Sequence, residues 1–262
     1  MTRMKNSLVA LAVLALPLGA CAGGGAQDSS LDTDYVARDV NTLYALAKDN
    51  LDRGRWDRAA ALFAEVERQH PYSIWARRAM LMSAFAHYQG NAYNETVQAA
   101  QRFLTIHPGN KDAPYANYLI AMSYYKQIED VSRDQRITEQ AKAAFGELIR
   151  RYPTSPYAGD ARLKVDLVND QLAGKEMEVG RFYQDTRRWL PATIRFQNVI
   201  DNYQTTSHAP EALHRLVESY LALGIPTEAQ KAAAVLSANY PESEWYQRSY
   251  RLMQRHAPGT TS

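Results

Sequence analysis

RGRWDRAAALF, residues 53–63, followed by Val66 and by His70-Pro71, is the stretch from which the rest of the chain can be read. Gly54 suits a tight turn, Trp56 opens a helix, Ala59 is small, Phe63 and Val66 are apolar, and Pro71 closes the unit. The pattern returns with Tyr93, Thr96, Ala100, Phe103 and Pro108, and again with Ala141, Phe145, Leu148 and Pro153. A fourth copy has Trp189, Ala192, Phe196 and Val199, with Gln204 where a proline is expected. A fifth has Gly224, Ala229, Ala233, Leu236 and Pro241. No strand-like alternation persists, and no Asn-Gly or Asp-Gly hairpin signal interrupts the series.

These units resemble tetratricopeptide repeats, each a helix A, a turn and a helix B. The small residue early in helix B permits close helix approach. The Phe and the Val or Leu beyond it fill the space between units. In the fourth copy helix A is visible too, as Val179, Gly180 and Tyr183 ahead of Trp189. The predicted fold is therefore all-α, a superhelix of about five helix-turn-helix repeats over residues 34–255. Pro71 and Pro108 are 37 residues apart, Pro108 and Pro153 are 45 apart. Against a unit of about 34 residues the larger surplus falls near residues 128–138, IEDVSRDQRIT, which reads as a solvated loop between the helices of the third repeat, with a partner contact as the alternative. Stacked repeats of this kind expose a long concave face that holds peptides or proteins.

The N-terminus carries a different message. After Arg3 and Lys5 comes an apolar run, residues 8–18, of 11 residues. That is too short to span a bilayer as a helix, which takes about 20 residues, and it reads as the core of a secretory signal. Leu18-Gly19-Ala20-Cys21 then looks like a bacterial lipobox, which implies cleavage after residue 20 and a covalent lipid on Cys21. Ala22, in place of the Asp that retains enteric lipoproteins in the inner membrane, favours outer-membrane sorting. Cys21 is the only cysteine, so no internal disulfide can form. Residues 22–33, AGGGAQDSSLDT, read as a flexible tether, and residues 256–262 as a flexible tail. Removing residues 1–20 removes Arg3 and Lys5, leaving 28 basic against 28 acidic side chains. Nucleic acid binding has no support from that balance.

Motifs that carry chemistry are missing. The histidines at 70, 87, 107, 208, 214 and 256 form no His-x-x-x-His pair. His70 and His107 precede repeat-ending prolines where Tyr152 and Tyr240 stand in other copies, so both read as packing or cap residues. No Gly-x-Ser-x-Gly or phosphate loop is present, and Gly23-Gly24-Gly25 opens no helix. The sequence thus predicts no catalytic residue, no metal and no cofactor beyond the Cys21 lipid. Tyr72, Trp75, Tyr88 and Tyr93 cluster along the first two repeats. They are either inter-helix packing or the wall of a groove for an extended peptide.

Taken whole, the chain resembles the BamD family of outer-membrane β-barrel assembly lipoproteins. The resemblance rests on the start MTRMK, the lipobox, DRGRWDRA at 52–59, HPYS at 70–73, RRYPTSPYAGDA at 150–161 and SANYPESEW at 237–245. HPYS departs from the family's usual Tyr-Pro, and the 128–138 loop is shorter than in enteric members. The resemblance implies a scaffold, not an enzyme, lipid-anchored on the periplasmic face of the outer membrane. It implies C-terminal repeats that dock onto the POTRA domains of the barrel protein BamA, beside other assembly lipoproteins, and N-terminal repeats that receive unfolded barrel substrates. The family's BamA-contacting arginine, six residues after the Trp of the fourth repeat, is here Arg195. Two other roles suit the same scaffold, coordination of the Tol-Pal envelope machinery and tethering of a peptidoglycan synthase or hydrolase. Against the first, no sustained coiled-coil heptads are present.

Overall fold

A computed structural model describes residues 38–128 and 135–256. Cys21, the predicted signal peptide and tether, and nearly all of the predicted tail lie outside the described residues. Within them the chain forms eleven helices and no strand: α1 (Val40–Asp52), α2 (Trp56–Gln69), α3 (Ile74–Gln89), α4 (Tyr93–Ile106), α5 (Ala113–Lys126), α6 (Arg136–Arg151), α7 (Ala158–Asp185), α8 (Trp189–Asn202), α9 (Ala209–Ala222), α10 (Pro226–Asn239) and α11 (Glu244–His256). Odd and even helices pair as A and B of five tetratricopeptide repeats, and α11 follows as an unpaired end helix.

The turns repeat as faithfully as the helices. Between A and B the chain passes through a left-handed residue at Gly54, Asn91, Arg187 and Gly224, with φ of 71°, 60°, 59° and 73°. The next residue returns its N–H to a carbonyl five back, as in Arg55 to Asn50, Ala92 to His87, Arg188 to Tyr183 and Ile225 to Tyr220. Each helix B ends on an aromatic ring: His70, His107, Tyr152, Tyr203 and Tyr240. Each donates its N–H four residues back, and its carbonyl accepts from Ser73, Asn110, Ser155, Thr206 or Ser243 to close the link. Two of these rings then reach back along the stack. His70 Nε2 lies 2.8 Å from the Arg38 carbonyl, and Tyr240 donates its hydroxyl to the Gln204 carbonyl at 3.1 Å. Both histidines stand at helix C-caps, and the His107 ring also packs on Phe103 with centroids 5.5 Å apart, so the two readings of cap and packing residue meet here.

The predicted register holds in the core. Ala59, Thr96, Ala141, Ala192 and Ala229 are fully buried, as are Val66, Leu148, Val199 and Leu236. Each of Ala59, Ala192 and Ala229 sits where two helices meet. Leucine at any one of them should overpack the interface and cost about 1–3 kcal/mol, read as a lowered melting temperature. Three unchanged melting temperatures would place the repeat register elsewhere. Gly180 is bound by the same crowding, since a Cβ there would lie 2.5 Å from Cε1 of the buried Phe196 ring.

Two features depart from a plain series of five. Helix α7 has 28 residues, about 42 Å at 1.5 Å per residue, so the Val179–Tyr183 signature is only its last stretch. Its first half packs on α6 and its second on α8. Val168 and Leu172 join Ala141 in a small core between them. The 128–138 stretch is also not loop throughout. Residues 136–138 are the first turn of α6, and Thr138 is buried at the position that Trp56, Tyr93 and Trp189 hold in other repeats.

Candidate functional site

Helices A touch one another along the stack: α3 touches α1 and α5, and α9 touches α11. They form the inner wall and helices B the outer one. The four aromatics predicted from sequence are spread over this wall and its edge. Tyr72 is fully exposed in the link between α2 and α3. Trp75 packs inward on Tyr44, with ring centroids 4.6 Å apart and the Arg78 guanidinium 5.5 Å above it. Tyr88 and Tyr93 meet at 6.0 Å, and the Tyr93 hydroxyl donates to Asn91 Oδ1 at 2.8 Å. Trp75 and Tyr88 lie at opposite ends of α3, about 20 Å apart. The structure brings Tyr88 and Tyr93 together and keeps Tyr72 and Trp75 elsewhere.

A longer aromatic row occupies the inner wall. Phe85 faces Tyr115 at 6.5 Å, Tyr115 faces Tyr157 at 5.4 Å, and Tyr157 stacks on Tyr118 at 5.0 Å. Tyr118 donates to Asp160 Oδ2 at 2.8 Å. Burial pushes the Tyr115 hydroxyl up to about 12, and burial together with Asp160 raises Tyr118 further. Both stay neutral donors at physiological pH. At the edge of the wall, Tyr72, Ile74 and Ile106 surround a cleft of about 380 Å³ with Met80 and Arg77. The other repeats have Gly109, Thr154, Thr205 and Glu242 in place of Tyr72, and Gln69, Arg151, Asn202 and Asn239 in place of Ile106. The turn itself does not require these apolar side chains.

Arg195 lies on α8 at the other half of the molecule. Its Nη1 is 3.3 and 3.5 Å from the two carboxylate oxygens of Glu176 on α7. A cleft of about 420 Å³ beside it is lined by Glu176, Ile194, Arg195, Asn198, Asp201 and Tyr220. Leu190 and Ile194, one helical turn apart, are each 62% exposed.

A polar node ties α7, α9 and α11 together. Glu218 on α9 accepts from Gln184 Nε2 and Arg215 Nη1 at 3.0 Å each, with His214 Nε2 at 3.4 Å. His214 Nδ1 meets Ser249 Oγ of α11 at 2.8 Å. Burial by itself would raise the Glu218 carboxyl, but the His214 hydrogen bond and charge, joined by Arg215, bring it down to about 2. Its ordinary value is 4.5, so its contribution is complete above that pH and is lost as pH falls toward 2. Glu218→Gln should lower stability and flatten the acid limb of the melting profile. An acid limb as steep as wild type would assign that loss to other carboxylates.

The family model YfiO, described as outer membrane lipoprotein, matches residues 36–236. The chain belongs to this family. The outer membrane protein assembly factor BamD of Caulobacter vibrioides is 50% identical over 245 residues, covering 94% of this chain and 79% of that protein. BamD of Rickettsia prowazekii is 42% identical over 254 residues, covering 97% and 99%. A thermophilic TPR protein of Thermus thermophilus is 19% identical with a TM-score of 0.39, covering 82% of this chain and 99% of that chain. The YfiO match runs through the aromatic row and Arg195 and stops before α11 begins.

Among the described residues no group of three His, Cys, Asp or Glu side chains is placed to hold a metal ion, and no helix is long and apolar enough to cross a membrane. Sequence reading missed Tyr115, Tyr118 and Tyr157, which lie in different helices and share no motif. Their signal was weak but present: Tyr157 and Asp160 both fall within the RRYPTSPYAGDA segment.

Proposed function

We propose that this chain is an outer membrane protein assembly factor, a periplasmic scaffold held by a lipid on Cys21 to the inner leaflet of the outer membrane. Its relatives are assembly factors by name, and the role is one of holding chains, without a covalent step. The observation that carries the reading is the match to BamD at 50% identity over 94% of this chain. In this reading α8, with Arg195, docks onto the POTRA domains of BamA. The inner aromatic row and the Tyr72 edge receive unfolded barrel proteins before their insertion. The geometry supports this division. An arginine held at one nitrogen can turn to a partner carboxylate. A row of partly buried tyrosines offers apolar faces and hydroxyl donors to an extended, aromatic-rich peptide. No cofactor other than the lipid enters.

The direct test is the equilibrium binding of the mature chain to the purified BamA POTRA region. Saturable binding in the micromolar range or tighter is expected. Absence of binding, with α-helical circular dichroism intact, would remove BamA from the account and favour a Tol-Pal or peptidoglycan partner.

A further inference from the structure

The five repeats serve as controls for one another, and the fourth breaks their rule at three neighbouring positions on α8. Three residues after the small residue of helix B, the others carry Leu62, Ala99, Ala144 and Ala232. Leu62 and Ala232 are buried. The fourth repeat has Arg195 there, with its side chain 42% exposed. Two residues before the small residue, the others carry Asp57, Asn94, Glu139 and Thr227, and the fourth has Leu190. Two residues after it, the others carry Ala61, Gln98, Ala143 and Lys231, and the fourth has Ile194. Helix packing therefore accounts for none of the three.

The pairing of Arg195 is also incomplete. Guanidinium offers five N–H donors in a fork that suits a carboxylate with two parallel bonds of about 2.7–2.9 Å. Glu176 engages Nη1 alone, at 3.3 and 3.5 Å. Among the described residues Arg195 has no other hydrogen bond or ion pair. Glu176 itself is largely shielded, its side chain 19% exposed. This contact is long and uses one nitrogen, so it holds the arginine without saturating it.

We infer that Glu176 is an internal stand-in for a partner's carboxylate at Arg195. It steadies the guanidinium in the free protein and gives way when a partner segment arrives with an Asp or Glu flanked by apolar side chains, which seat on Leu190 and Ile194. The inference rests on the docking role proposed for Arg195. Its consequence is a gain of binding on removal of a native charge. Breaking the internal pair subtracts from partner affinity, and Glu176 left beside the incoming carboxylate repels it. Partly exposed pairs of this kind correspond to about two- to five-fold in an equilibrium constant.

The test is a set of affinities between the detergent-purified mature chain and the BamA POTRA region. Glu176→Gln keeps the shape and removes the charge, and should tighten binding about two- to five-fold. In an Arg195→Ala background the same substitution should give no gain. Ile194→Lys, the residue of the fifth repeat at that position, should weaken binding about ten-fold or more with an unchanged melting temperature. If Glu176→Gln leaves affinity unchanged or weaker while Arg195→Ala weakens it, the stand-in role is wrong and the docking role of Arg195 stands. A gain that persists without Arg195 assigns the effect to general charge and also overturns the inference. If Arg195→Ala changes nothing, or wild type does not bind, the docking role falls and the stand-in role with it.

Discussion

Arg195→Glu is expected to weaken binding to the BamA POTRA region by about 30-fold or more. An arginine whose partner carboxylate is desolvated at an interface leaves that charge unpaired when it is lost, at roughly 2–5 kcal/mol. Each 1.4 kcal/mol is ten-fold in affinity. Reversal of charge adds a repulsion with the partner carboxylate, which also meets Glu176 beside residue 195. Arg195→Glu should therefore do worse than Arg195→Ala. Affinities at two salt concentrations separate a central contact from a rim contact, because at 0.15 M solvent-exposed charges more than about 8 Å apart are largely screened and a buried pair far less. A central contact loses little with salt. Wild-type affinity in Arg195→Glu, with circular dichroism intact, would move the docking surface elsewhere.

Cys21→Ala is expected to abolish lipid labelling altogether. Each buried CH₂ of an acyl chain contributes about 0.8 kcal/mol, so one chain anchors marginally and several anchor stably. The described residues have no transmembrane helix to take over. The mutant should appear as a soluble or uncleaved product on fractionation, without labelled palmitate. Continued incorporation of label would refute the assignment of the anchor to Cys21.

What the sequence reveals and what it hides follow from the reach of each signal. The Ala, Phe and Val register of helix B is local and periodic, and every small position it picks is buried. His70 and His107 are legible as caps because Tyr152 and Tyr240 stand at the same offset from proline. Helix α7 hides its length because the repeat signature marks only its C-terminal part. The surplus was there to count: Pro153 and Gln204 are 51 residues apart, about five helical turns beyond a 34-residue unit. Helix α11 has no partner helix and so no repeat pattern to betray it. Sequence proximity grouped Trp75 with Tyr88, and the length of α3 separates them. It also missed the contact between Tyr118 and Tyr157, which depends on how α5 meets the start of α7. The Glu176–Arg195 pair joins two helices at a spacing that no helical period encodes.

Co-purification from native outer membranes in mild detergent, with identification of partners by mass spectrometry, tests the central claim most directly. The account predicts that the wild-type chain brings down BamA, and that Arg195→Glu expressed to the same level brings down far less. Recovery of Tol-Pal components or of a peptidoglycan synthase or hydrolase, with BamA absent, would contradict it.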